Sequence, residues 1–170
     1  MKRVALLLLA TGTLAAQPFQ FDLSNLAAKA SDTLDLSLTR STLQLAAKFL
    51  DGTDPEEAEV KKLIEGVDAI TVKSFEFKSE GAWTNGDLDK LRNQLRPPEW
   101  SRMLGYKSAE EGETAEVYIR EVDKKVAGVA IMDAKPKNLT VVSIVGKVDL
   151  DSLAQLSGHF GVPKLEGKKK

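Results

Sequence analysis

Carboxylates have the best claim to chemistry in this chain. SAEEGETAE sets Glu110, Glu111, Glu113 and Glu116 around one turn, and GDLD adds Asp87 and Asp89 upstream. Paired carboxylates can divide acid and base roles, or hold a hard cation through their oxygens. A helix–loop–helix calcium site needs alternating Asp or Asn, a glycine at the sixth place and Glu at the twelfth, and neither stretch has that order. The glutamates are therefore expected at a solvated hairpin tip. The aspartates are expected in an acidic first helical turn, where the helix dipole favours them. A carboxylate-dependent hydrolase is the least favoured functional reading, and no catalytic residue is assigned.

VVSIVGKVDLDSLAQL places Gly146-Lys147 behind a β-branched run, the nearest approach to a phosphate-binding loop. Such a loop needs a glycine five residues earlier and Ser or Thr after the lysine, so that backbone amides wrap phosphates and a hydroxyl meets magnesium. Val141 and Val148 occupy those places. Gly146 is read instead as the residue that lets a strand end. His159 is the only histidine and there is no cysteine, so thiol chemistry is absent and any triad or His-based metal site would rest on one residue. No metal or cofactor is expected. Asn138-Leu139-Thr140 matches a glycosylation acceptor, but at a strand start.

The elements that must position these groups follow from hydrophobic spacing. Leu23 to Ala30 suits a short helix, and Leu34, Leu36 and Leu38 alternate with polar partners, as in a half-buried strand near a sheet edge. Those three leucines are the candidate interaction strand. Leu43, Ala46, Ala47 and Leu50 recur at helical spacing. Asp54, Pro55 and Glu57 specify the start of the next helix, and Gly66 suits a left-handed residue at its end. In DAITVKSFEFK, Ile70 and Val72 share one phase while Phe75 and Phe77 share the other. This predicts either a bulge near Lys73-Ser74 or burial on both sides. Thr84 or Asn85 caps a helix with Leu88, Leu91 and Leu95, which Pro97-Pro98 ends. Four strand-like runs from Trp100 to Gly146 are separated by short turns, which predicts an antiparallel meander. A last helix carries Leu150, Leu153, Leu156 and Phe160. The expected fold is α+β, a two-layer sandwich with a largely antiparallel sheet and helices on one face. Phe75, Phe77, Trp83 and Trp100 would line a pocket between those layers if the protein carried a small molecule or lipid.

MKRVALLLLATGTLAAQ has the basic, apolar and small-residue layout of a cleaved leader, ending at Ala15 or Ala16. Residues 17–163 are then one domain and 164–170 a basic tail. Beyond the leader, 22 basic face 25 acidic residues, a net charge of about −3 that argues against nucleic acid. No stable membrane anchor is expected, and oligomeric state is not legible. The favoured reading is an exported, non-enzymatic envelope domain that binds a partner protein, located in the periplasm or outside the cell.

LDLSLTRSTLQLAAKFL, LIEGVDAITVKSFEF, WSRMLGYKS, GETAEVYIREVDKKVAGVAIM and LTVVSIVGKVDLDSLAQL together resemble a family of small exported bacterial proteins known as domain of unknown function 4252. The resemblance covers nearly the whole chain after the leader. Its most specific part is the strand followed by Gly-Lys-Val-Asp-Leu. It implies one exported bacterial domain and no particular activity.

Overall fold

The run VDAITVKSFE is apolar in both phases of a strand, and a strand of that kind is stable only when covered on both faces. In a computed structural model of the chain, which describes residues 21–148, it is β2 (Val67–Glu76). Ahead of it come α1 (Ser24–Ala27), β1 (Asp32–Thr39), α2 (Arg40–Ala47) and α3 (Pro55–Gly66). After it come α4 (Asn85–Gln94), β3 (Trp100–Ser108), β4 (Glu113–Val122), β5 (Lys125–Lys135) and β6 (Asn138–Gly146). The described strands form one six-stranded sheet in the order β1-β2-β6-β5-β4-β3, antiparallel throughout.

The meander from β3 to β6 follows the expected turns. Asp123 and Lys124 both adopt positive φ, 51° and 61°, in the two-residue link between β4 and β5. That conformation matches the twist of an antiparallel hairpin. Register along Lys73-Ser74 is unbroken. The irregularity of β2 lies instead between Val67 and Ala69, so two-sided burial, not a central bulge, reconciles its two apolar phases.

Each phase of the strands serves a separate core, because alternate side chains point to opposite faces. On one face Phe75, Met132, Leu139 and Val141 pack with Leu26 of α1 and Leu88, Leu91 and Leu95 around α4. On the other, Ile70, Val72, Val117, Ile131, Val142 and Ile144 pack with Leu43 of α2 and Leu63 and Ile64 of α3. Helices therefore flank both faces, and the expectation of helices on one face only is corrected. A central sheet with two apolar faces needs cover on both. The helix expected at Leu150 to Phe160, the leader and the basic tail lie outside the described residues.

Local chemistry sets the helix starts. The Asp54 carboxylate accepts the Glu57 amide at 3.1 Å, the expected cap of α3. At α4 the Asp87 carboxylate accepts both the Thr84 amide, at 2.9 Å, and the Thr84 hydroxyl, at 3.0 Å. Gly66 departs from its expected role. It ends α3 without a positive φ, and a Cβ there would lie 2.5 Å from the Lys147 carbonyl oxygen. Its value is close approach: Lys147 N–H donates to the Gly66 carbonyl at 2.8 Å, which ties the end of β6 to the start of β2. Gly146-Lys147 is thus a strand-end clasp.

Candidate functional site

In an antiparallel sheet each residue aims its N–H and C=O to one side of its strand, and the next residue aims them to the other. Phe77 N–H donates to Lys137 O at 2.9 Å, toward β6, while Glu76 O accepts Ser31 N–H at 2.8 Å, from the β1 side. Even-numbered residues of β2 therefore bond β1. The register pairs Glu76, Ser74, Val72 and Ile70 with Asp32, Leu34, Leu36 and Leu38. Those β1 residues spend their backbone groups on β2. Thr33, Asp35 and Ser37 aim theirs at the open side, where β1 has no neighbour among the described residues.

Side chains divide the same way. Leu36 and Leu38 are partly buried against the α2–α3 face, and Leu34, 52% exposed, shares their phase. Thr33, Asp35 and Ser37 are exposed on the α1–α4 face. Period-2 alternation located the leucines, but the open backbone belongs to the residues between them. Which phase that is depends on which side β2 lies, and strand order is not written in β1.

Proteins protect exposed edges with charged side chains, proline or a bulge. DTLDLSLT contains no lysine, arginine or proline and its register is regular from Asp32 to Thr39, so its only such devices are the exposed carboxylates of Asp32 and Asp35. The opposite edge, β3, carries Arg102 and Lys107 and a register shift between Arg102 and Leu104. Beside β1 runs a groove of about 340 Å³, walled by Phe21, Leu23 and Ala27 from α1 and the segment before it, and floored by Lys73 and Phe75. Asp35 meets Lys73 across the strands at 2.8 Å. Hydrogen exchange tests the edge directly. The amides of Thr33, Asp35 and Ser37 are expected to exchange early and those of Leu36 and Leu38 late. Uniform protection along β1 would mean that its outer side is covered.

The carboxylates that opened the sequence reading are committed to structure or lie apart. Glu116 is 5% exposed and receives Arg92 Nη2 at 2.6 Å, Arg92 Nε at 3.0 Å and the Tyr118 hydroxyl at 2.6 Å. Burial pushes its carboxyl up, but the Arg92 and Tyr118 hydrogen bonds outweigh that and hold it below the usual carboxylate range. Burial, together with the bond to Glu116, pushes the Tyr118 phenol up to about 12. Asp89 binds the other side of the Arg92 guanidinium at 2.7 Å. Asp87 caps α4 and also accepts Asn25 Nδ2 at 2.6 Å and Lys29 Nζ at 3.3 Å. Glu110 and Glu111 sit on the exposed β3–β4 turn, Glu113 begins β4, and Glu116 faces the core. Among the described residues no three Asp, Glu, His or Cys side chains converge as a metal site would require. His159 lies outside the described residues.

Phe75, Phe77 and Trp100 are buried together in the α1–α4 core, with Trp83 packed against it and donating its indole N–H to Lys135 O at 2.8 Å. Of these four, only Phe75 reaches the groove. Residues that sequence reasoning missed are Thr33, Asp35 and Ser37, through their backbone, and Phe21, Asp22, Leu23 and Ala27, through the groove. An apolar residue ahead of a short helix was the one available signal for the latter.

Residues 26–156 match the model of one protein family, described as Domain of unknown function (DUF4252). No curated protein matches the chain.

Proposed function

The chain belongs to the DUF4252 family, which prescribes no chemistry, and on that premise we propose that it is an exported, non-enzymatic bacterial envelope domain that binds a partner protein by strand addition at β1. One observation carries the reading: the outward N–H and C=O groups of Thr33, Asp35 and Ser37 on an edge of regular register that holds no lysine, arginine or proline. An extended segment gains affinity from such main-chain groups and specificity from its alternate side chains. The engagement of Asp87, Asp89 and Glu116 in caps and ion pairs favours this role over a carboxylate hydrolase. The leader layout of residues 1–16 supports export.

The test uses Ser37→Pro. Ser37 N–H faces outward, so proline removes a donor needed by a partner while leaving every β1–β2 ladder bond in place. Thermal stability should change by no more than about 1 kcal/mol. A photo-crosslinker placed at Thr33 should capture a defined envelope protein from intact cells with the wild-type sequence and lose it with Ser37→Pro. Retained capture in the folded variant, or crosslinking no different from a probe on β3, would sink the proposal. Leu36→Pro is the contrasting control, because it breaks a ladder bond and acts through folding.

A further inference from the structure

We infer that residues 149–160 pack as an amphipathic helix over a strip of small side chains on the α1–α4 face, formed by Ala69 and Thr71 of β2 and Ser143 and Val145 of β6. The register sets Ala69 beside Val145 and Thr71 beside Ser143, all in one phase of the sheet. All four are 5% exposed or less. Yet Ala69 and Val145 belong to neither apolar core, and the Ser143 hydroxyl has no hydrogen-bond partner among the described residues. Side chains this short cannot close over one another, so a sheet face made of them is shielded only by a second layer. The strip is bounded on both sides. On β5 a Cβ added at Gly128, the partner of Val145, would lie 3.4 Å from Trp100 Cη2, so the indole takes over there. On β1 Ser37 and Thr39, the partners of Thr71 and Ala69, are exposed. What shields the strip is thus two strands wide, about 10 Å, which is the breadth of one helix with its side chains.

The chain itself supplies the occupant. Val148, 7% exposed, still packs with the α2–α3 core, which leaves the chain at the end of the sheet with either face in reach. The α2–α3 face of the same two strands is already filled: Val72, Val142 and Ile144 are fully buried there with Leu43, Leu63 and Ile64. The steps from Val145 to Asp149 can span up to about 14 Å, enough to turn onto the strip. Beyond them Leu150, Leu153, Leu156 and Phe160 recur at helical spacing, with Asp151, Ser152 and Gln155 between them. As a helix, residues 149–157 would run for about 13 Å. Leucines set against alanine, threonine and serine fill the layer at the density that a protein interior requires. The family match runs to Leu156, so the leucine segment is part of the same domain as the strip.

Two measurements on the full chain test this. The sequence has no cysteine, so an engineered thiol reports alone. Ser143→Cys, close in size to serine, should react slowly with a thiol reagent, and adding Leu153→Asp should speed its labelling at least tenfold. Thr140→Cys, on the opposite face and 8% exposed in the native chain, is the control and should keep its rate. In a methyl-labelled sample of the unsubstituted chain, nuclear Overhauser contacts should join Leu150, Leu153 or Leu156 to Ala69, Thr71 and Val145. Labelling of Ser143→Cys that ignores Leu153→Asp overturns the inference. So do leucine contacts confined to Val117 and Ile119 on the other face, or strip methyls that contact only residues before Phe21, or neither segment. If Leu153→Asp unfolds the chain and both thiols speed up together, the methyl contacts decide alone.

Discussion

Gly146→Ala is expected to destabilise the protein by about 3–5 kcal/mol, because strain and steric clash act at the same residue. For a domain of this size that lowers the midpoint of thermal unfolding by roughly 10–20 °C. Gly146 has φ +133°, a conformation side-chain-bearing residues rarely adopt. An added Cβ would lie 2.5 Å from Gly66 O, 2.7 Å from Asp68 N and 2.8 Å from Val67 Cα. All three are backbone atoms, so no rotamer change relieves the contact. The clasp also joins β6 to β2, and β2 carries β1. Its loss should therefore loosen the candidate edge as well as the core. Gly52→Ala is the control: no atom lies within 4 Å of its added Cβ, and its effect should stay within about 1 kcal/mol. Equal melting of the two variants would show that the clasp does not hold the strand ends.

Glu116→Gln is expected to cost about 2–3 kcal/mol at pH 7. Breaking a buried ion pair typically costs about 3–5 kcal/mol, and the 30% exposure of Arg92 lets its guanidinium recover some hydration and keep Asp89. The pH dependence has a definite sign. The Glu116 carboxyl sits lower in the folded than in the unfolded chain, where it titrates near about 4.3. Its contribution is therefore complete above that value and is lost as pH falls through the folded-state pKa, since the unfolded chain takes up the proton first. The stability gap between wild type and Glu116→Gln should be constant near neutrality and close in acid. Urea titrations from pH 7 downward measure it. A gap that widened in acid would mean that Glu116 is not held charged by Arg92.

The hydrophobic phases of the chain were enough to specify its local elements. Asp54-Pro55 marked the start of α3, Thr84 the start of α4, and the turns at Gly112, Asp123-Lys124 and Pro136 divided the meander into β3 to β6. These are short-range effects: a cap, a fixed φ or a period of two acts within a few residues of itself. The leucines of β1 likewise announced a half-buried strand. Their neighbours' role did not show, because the open side of β1 follows from its pairing with β2, some forty residues away in the chain. The Arg92–Glu116 pair spans 24 residues and needs α4 laid across β4, which no local pattern encodes. The same holds for the division of helices between two faces and for Gly66, whose missing side chain makes room for Lys147. Composition and periodicity act through the nearest turns of chain; strand order, helix side and backbone contact arise only when distant segments compete for the same apolar surface.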